Sequence, residues 1–293
     1  MSKTVLITGT STGLGISLAV QCAQNGHHVY ATMRNLDKRA ALEAALDAAG
    51  VSAIILALDV TDADSIIACV DRVISDHGHI DVLINNAGAG FVRTTEQASE
   101  SEVAWIMDVN FNGVVRATKA VLPHMRAART GHVINISSVG GLVGQPFNEI
   151  YCAAKFAVEG YTESLASYVG PAFGIHFTAV EPGGIATDFA KNVLDYVGQT
   201  GGILDDPYKP ILEQYLATVR ARGTQTDGPI IHQSADSVAQ VVCDIMAQDN
   251  PPIRARTSEW SENFTALKTT VDPDGKKQQM AVIDMMLGGQ PIV

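Results

Sequence analysis

The chain predicts a doubly wound α/β fold, in which one mostly parallel sheet of seven strands carries helices on both faces. Three observations predict it. Short runs rich in Val, Ile and Leu alternate with longer segments of helical apolar periodicity, the rhythm of βαβ units. Those runs are nearly continuously apolar, as strands buried on both faces must be. The first of them leads directly into a Gly-rich turn that opens a helix.

Strands are expected at residues 5–8, 28–32, 53–58, 82–85, 132–137 and 175–180, with a weaker seventh at 253–257 behind Pro251 and Pro252. Helices are expected near 14–25, 37–49, 62–76, 100–127, 149–169 and 235–248. No repeat or linker divides the series, so residues 1–257 read as one unit. Residues 186–232, rich in Gly, Asp and Pro, interrupt the alternation after the sixth strand. They read either as irregular surface or as a lid inserted over a substrate. Residues 258–293 read as a C-terminal extension with an apolar end, either irregular surface or a subunit contact.

Composition narrows the partners. Of 293 residues 46% are hydrophobic and 17% charged, ordinary for a packed domain, and the net charge of −11 disfavours nucleic acid and anionic membranes. No apolar run reaches the length of about 18 residues that a membrane span needs. Cys22, Cys69, Cys152 and Cys243 lie far apart without a CxxC pair, which gives neither a disulfide framework nor a metal site and makes the cytoplasm the expected compartment.

The turn after the first strand reads Thr8-Gly9-Thr10-Ser11-Thr12-Gly13-Leu14-Gly15. Glycines there let backbone N–H groups and a positive helix terminus approach a pyrophosphate, although tight packing alone also selects them. The spacing is GxxxGxG rather than GxGxxG. The second strand ends in Met33-Arg34-Asn35, without the carboxylate that would bind a ribose 2′-hydroxyl. Arg34 matches a 2′-phosphate, so NADP(H) is favoured with NAD(H) as the alternative. The competing reading of Arg34 is a solvated surface side chain.

Tyr151 and Lys155 stand four apart on a helical segment and therefore share a face. A Tyr near pKa 10 is a poor base at neutrality, and a neighbouring ammonium is expected to favour its phenolate. Ser138 follows the fifth strand, and Asn86, Ala87 and Gly88 follow the fourth. Asp59 and Val60 follow the third. All of these fall at the strand ends where open α/β sheets bind ligands. Asn110 sits inside a helical segment, where Asn is unfavourable unless it has a task.

In TGxxxGxG, NNAG, the helix Asn, the Ser, YxxxK and a Pro-Gly motif, in that order from residue 3 to about 190, the sequence resembles the short-chain dehydrogenase/reductase family. The resemblance implies a single-domain Rossmann fold. It makes Tyr151 the proton donor in carbonyl reduction, with Lys155 lowering its pKa and holding the nicotinamide ribose. Ser138 would bond the reacting oxygen, and Asn110 would order a water linking Lys155 to solvent. The cofactor would lie along Gly9, Ser11, Thr12, Gly13, Leu14 and Gly15, with Arg34, Asp59, Val60, Asn86, Ala87, Gly88, Pro182, Gly183, Ile185 and Thr187.

The stretch from Ser138 to Gly160 resembles the branch that holds 17β-hydroxysteroid and retinol dehydrogenases. That implies a lipophilic ketone or aldehyde as partner, lined by Gln145 and Phe147 and, from the insertion, by Phe189 and Leu194. Family members pair the helices near 100–127 and 149–169 across subunits, which implies a homodimer or homotetramer. Two other functions stand beside this one. A catalytically silent NADP-binding sensor would need none of Asn110, Ser138, Tyr151 and Lys155. An epimerase or dehydratase would be expected to carry a sugar-binding domain.

Overall fold

The computed structural model describes residues 2–187, 189–199, 202, 205–223 and 232–287. Its strands, in chain order, are Thr4–Ile7 (β1), His28–Met33 (β2), Ile54–Ala57 (β3), Val82–Asn85 (β4), Gly131–Ile136 (β5), Ile175–Glu181 (β6), Gly184–Ala186 (β7), His232–Ser234 (β8) and Arg254–Arg256 (β9). Seven of them form one parallel sheet in the order β3-β2-β1-β4-β5-β6-β9. The order reverses between β1 and β4, so a crevice opens beyond their C-terminal ends.

Side chains alternate across the sheet because successive Cβ atoms of a strand point to opposite faces. Val5, Ile7, Val29, Ala31, Val82, Ile84 and Ile134 face one layer of helices. Those helices are Gly13–Gln24 (α1) and Ala40–Ala49 (α2), and Ala235–Met246, the ninth helix along the chain, closes the same layer through Val238 and Val242. Leu6, Tyr30, Leu83, Val133 and Phe177 face the other layer, built on Ala63–His77 (α3), Gly113–Ala128 (α5) and Glu149–Phe173 (α6), while Ile106 of Glu100–Met107 (α4) packs with Phe91 and Ala154 in a smaller cluster.

Local chemistry sets the helix ends. Asp62 accepts from the backbone N–H groups of Asp64 and Ser65 to start α3, and Gly78 ends it in the left-handed conformation. Ser99 and Glu102 form a capping box on α4.

Three features differ from the sequence expectation. The single helix expected over 100–127 is two helices joined by a π-helical turn, Asp108–Asn112. Where it is described, the region 186–232 is not irregular. It holds Phe189–Gln199 (α7) and Lys209–Gly223 (α8), and β7 pairs with β8 in a small second sheet. Phe189, Val193 and Tyr196 recur at helical spacing and give α7 an apolar stripe. After Ala235–Met246 (α9), the chain past β9 folds into Glu259–Thr269 (α10) and Lys276–Leu287 (α11). That last helix packs on α6 of its own chain, with Gln279 Nε2 donating to the Ala166 carbonyl at 2.6 Å. Residues 288–293 lie outside the described residues.

Candidate active site

The crevice between β1 and β4 collects most of the sequence candidates. Gly9 and Gly13 have φ of 74° and 55°. A Cβ on Gly9 would stand 2.7 Å from Ala87 Cα, so the loop and the end of β4 touch backbone to backbone. Asn86 Nδ2 donates to the carbonyls of Thr8 (2.9 Å) and Gly9 (2.8 Å). Thr8 Oγ1 accepts from the N–H groups of Asn86 and Ala87, both at 3.0 Å. Thr8 thus clamps the crevice, a role the sequence reading missed although the residue opens the glycine motif.

This cradle fits a dinucleotide pyrophosphate. Thr12 makes no side-chain cap bond at the start of α1, and the first turn holds no acidic residue to repel an anion. Ser11 lies in the same loop. Leu14 turns its side chain into the apolar core, so only its backbone can address a ligand. Gly15 packs against the Gly9 carbonyl. Arg34 is exposed past β2 and makes no ion pair among the described residues.

At the end of β3, the Asp59 carboxylate accepts from Thr61 N (2.9 Å) and Thr61 Oγ1 (2.7 Å). Val60 is packed tightly against Gly113. The segment after β6 closes the opposite wall. The Pro182 carbonyl accepts from Val139 N at 3.0 Å, and Gly183 lies against the Trp260 ring of α10. Ile185 lies on β7. Thr187 reaches the glycine loop, where a Cβ on Gly13 would meet its Cβ at 3.1 Å. Among the described residues no three His, Cys, Asp or Glu side chains group as metal ligands.

Asn110, Ser138, Tyr151 and Lys155 converge beside this cradle. The π-helical turn points the Asn110 side chain inward, fully buried. Its Nδ2 donates to the carbonyls of Ile106 (3.1 Å) and Ala89 (2.9 Å), and its Oδ1 accepts from Ala89 N (3.1 Å). Both amide hydrogens are therefore engaged by protein, and the residue ties the π turn to the strand end that carries Gly88. A Cβ on Gly88 would lie 2.9 Å from Asn110 Oδ1 and 3.7 Å from Lys155 Nζ, so the three positions meet at one point.

Ser138 Oγ accepts from Gly140 N at 3.0 Å, and Ser138 favours the ionised form of Tyr151. Lys155 Nζ donates to the Ile136 carbonyl at 2.9 Å and stands 5.8 Å from the centre of the Tyr151 ring. Burial, rather than Lys155, dominates the electrostatics of Tyr151. It pushes Tyr151 up to about 12, with Ser138 opposing it. Burial pushes Lys155 down to about 8, with Glu159 opposing it. Loss of hydration dominates both shifts at this depth.

Over Tyr151 lies the Phe189 ring, centroids 6.1 Å apart. Phe147 does not stand open to the crevice. It is buried with φ of 61°, and its ring packs 5.5 Å from that of Tyr215 on α8. Gln145 is half-buried near Gly140. The Leu194 side chain lies outside the described residues. The sequence reading also missed the polar seam beneath α7, where Tyr196 donates to Glu102 Oε1 at 2.8 Å and stacks on Trp105.

The comparisons agree with this geometry. Residues 3–197 match the family model of the short chain dehydrogenases. The chain is 39% identical over 279 residues to retinol dehydrogenase 8 of Bos taurus, covering 93% of this chain and 86% of that one. It is 36% identical to a 3-ketodihydrosphingosine reductase of Bacteroides thetaiotaomicron, covering 94% of each. It is also 36% identical to the human 17-beta-hydroxysteroid dehydrogenase type 1, covering 99% and 88%. Among solved structures, a short-chain dehydrogenase from Streptomyces avermitilis superposes with a TM-score of 0.75 at 26% identity, covering 99% and 98%. The actinorhodin polyketide ketoreductase with NADPH gives 0.73 at 27% identity, covering 87% and 95%. The chain belongs to the short-chain dehydrogenase/reductase family of oxidoreductases, and its motifs place it in the branch of the hydroxysteroid and retinol dehydrogenases. No helix among the described residues is long and apolar enough to cross a membrane.

Proposed function

We propose that the protein reduces the carbonyl of a lipophilic ketone or aldehyde with NADPH, and oxidises the matching alcohol in reverse. The observation that carries this reading is the convergence of Ser138, Tyr151 and Lys155 beside a glycine cradle at the switch point of the sheet. Bound NADPH supplies the hydride. Ser138 and the Tyr151 hydroxyl hold the carbonyl oxygen, and Tyr151 gives it the proton. With burial holding Tyr151 at about 12, the phenol is fully protonated at neutrality, which suits the acid of a reduction. Lys155 supplies positive charge behind the tyrosine and a donor for the nicotinamide ribose. Asn110 holds the Gly88 strand end in place.

The substrate class rests on two supports. The three relatives are named for retinol, a ketosphingoid and a hydroxysteroid, all lipophilic molecules. Phe189, placed over Tyr151, offers an apolar surface at the same spot. In this reading α7 and α8 form the lid of the site, inserted into the unit 1–257, and Phe189 and Leu194 meet the substrate with Gln145 at the rim. The choice of NADP(H) over NAD(H) rests on Arg34, and the NADPH-bound ketoreductase neighbour agrees with it. The silent-sensor alternative is disfavoured because it leaves the converged Ser138, Tyr151 and Lys155 without a task. Pairing of α5 and α6 across subunits into a homo-oligomer is part of the same proposal.

The test is NADPH consumption with a panel of retinoid, sphingoid and steroid carbonyls. Tyr151→Phe should bind NADPH as before and lose activity roughly a hundredfold to ten-thousandfold. A variant that keeps most of its turnover would remove Tyr151 from the chemistry. Arg34→Asp should shift the NADPH-to-NADH preference by about tenfold or more, since it replaces a phosphate partner with a repelling charge. An unmoved ratio would sink the NADP assignment.

A further inference from the structure

One helical turn beyond Lys155, α6 buries an ionisable side chain that the proposed chemistry leaves unused. Glu159 is 5% exposed and shares a helix face with Lys155. Glu181, the last residue of β6, is fully buried and faces it, and the Ser137 hydroxyl completes the group. The packing is tight. A Cβ on Gly141 would fall 2.7 Å from Ser137 Oγ and 3.0 Å from Glu159 Oε1. Yet neither Glu159 oxygen, nor Glu181 Oε1, nor Ser137 Oγ makes a well-formed hydrogen bond to the described residues.

The surrounding charges treat the two carboxyls differently. From β9, Arg256 Nη1 reaches Glu181 Oε2 at 3.2 Å, while its Nε pairs with Glu262 of α10 at 3.0 Å. Arg254, also on β9, pairs with Glu163 of α6 at 3.7 Å. Glu181 therefore has a resident cation, and the cation left for Glu159 is Lys155. Two carboxylates in one dry pocket cannot both stay ionised near neutrality, and the one without a cation keeps the proton. Burial, and then Glu181, hold the Glu159 carboxyl far above the usual carboxylate range.

We propose that Glu159 is a positioning residue for Lys155: it carries a proton near neutrality, releases it in alkaline solution, and so becomes the counter-charge that keeps Lys155 cationic behind Tyr151. The inference rests on the proton-transfer roles proposed above for Tyr151 and Lys155. Its sign follows from the geometry. As pH rises, one proton must leave the Lys155–Glu159 pair. Losing it from Glu159 leaves opposite charges one helical turn apart, whereas losing it from Lys155 leaves a neutral amine behind the tyrosine. Burial draws Lys155 down to about 8 even with Glu159 opposing that loss, so removing the Glu159 charge lowers it further.

The experiment measures kcat against pH for wild type, Glu159→Gln and Glu159→Asp, each full-length and saturated with cofactor. It is paired with infrared spectra of the protonated-carboxyl band, which need no turnover. In Glu159→Gln the ratio of alkaline to neutral kcat should fall about tenfold, equivalent to the alkaline limb moving down by about one pH unit. Glu159→Asp should recover part of that limb. The wild type should show a protonated-carboxyl band at neutral pH that fades in alkali and is missing from Glu159→Gln. Coincident pH profiles, or a loss uniform at every pH, would overturn the proposal, as would a wild type with no protonated carboxyl. If the band titrates as described but none of the panel carbonyls is reduced, the titration of Glu159 stands and the proposed function is what fails.

Discussion

The platform beneath Tyr151 and the segment that covers it are held by different forces. Strands β1, β2, β4, β5 and β6 are buried along most of their length, and two apolar layers lock their ends. Each fully buried Leu, Ile or Val there contributes about 1.5–3 kcal/mol by leaving water. Helices α7 and α8 instead lean on polar side-chain contacts. Tyr196 bonds Glu102, Tyr208 bonds Glu96, Asp206 accepts from Gln97, and Asn148 donates to Tyr215. Such a hydrogen bond contributes about 1 kcal/mol net, and ring packing of Tyr196 on Phe91 and Trp105 adds to it. Groups that must hold a proton and a cofactor therefore sit on the rigid part. The surface that would meet a variable substrate sits on the part that can open at little cost.

The largest effect expected on this contrast comes from acid acting on the platform. His132 of β5 is buried, its Nε2 2.9 Å from Thr178 Oγ1, and burial draws its pKa down from 6.5 to about 3, with His176 next in effect. In the unfolded chain the imidazole binds a proton below about 6.5, while the folded protein excludes it until about 3. Between those values the unfolded state holds more protons, so stability falls as pH falls. The loss from this one residue should be on the order of 3 kcal/mol by about pH 4. Denaturant titrations across that window would measure it. His132→Gln, which keeps a polar group beside Thr178, should give a flatter curve than wild type. Parallel curves would show that the platform's acid weakness lies elsewhere.

The same division explains what the sequence could disclose. Buried parallel strands are mostly apolar, so 82–85 and 175–180, short runs dominated by Val, Leu, Ile and Phe, are legible as strands without any long-range knowledge. The turn at Gly9 to Gly15 is legible because its backbone needs glycine. Strands β7 and β8 are three residues each and polar at Gln233 and Ser234, too short to show an alternation. Helices α7 and α8 hide behind their Gly, Asp and Pro neighbours, and what orders them is contact with Gly90, Trp105 and Glu96, far away in sequence. Tyr151 and Lys155 are legible as a pair, but the direction of their titration is not, because spacing does not report depth. Glu159 is the sharpest case. Four residues after Lys155, a Glu on a helix reads as a solvated charge, and only the arrival of β6 and Gly141 makes it a buried acid.

A smaller effect would sharpen the contrast from the covering side. Tyr196→Phe keeps the ring between Phe91 and Trp105 and removes only the hydroxyl that bonds Glu102. Global stability should drop by about 1 kcal/mol or less, because Glu102 keeps the backbone N–H of Ser99 as a donor and Arg93 stands 3.9 Å away. Local opening of α7 should increase about fivefold, the factor that 1 kcal/mol gives. Limited proteolysis between 189 and 223 would read that directly, as faster cleavage with little change in the melting temperature. Turnover should show it as a changed KM for lipophilic carbonyls, with NADPH binding as in wild type. If cleavage and KM stay at wild-type values, the hydroxyl bond does not hold the cover, and the aromatic stack of Tyr196 on Phe91 and Trp105 carries that load alone.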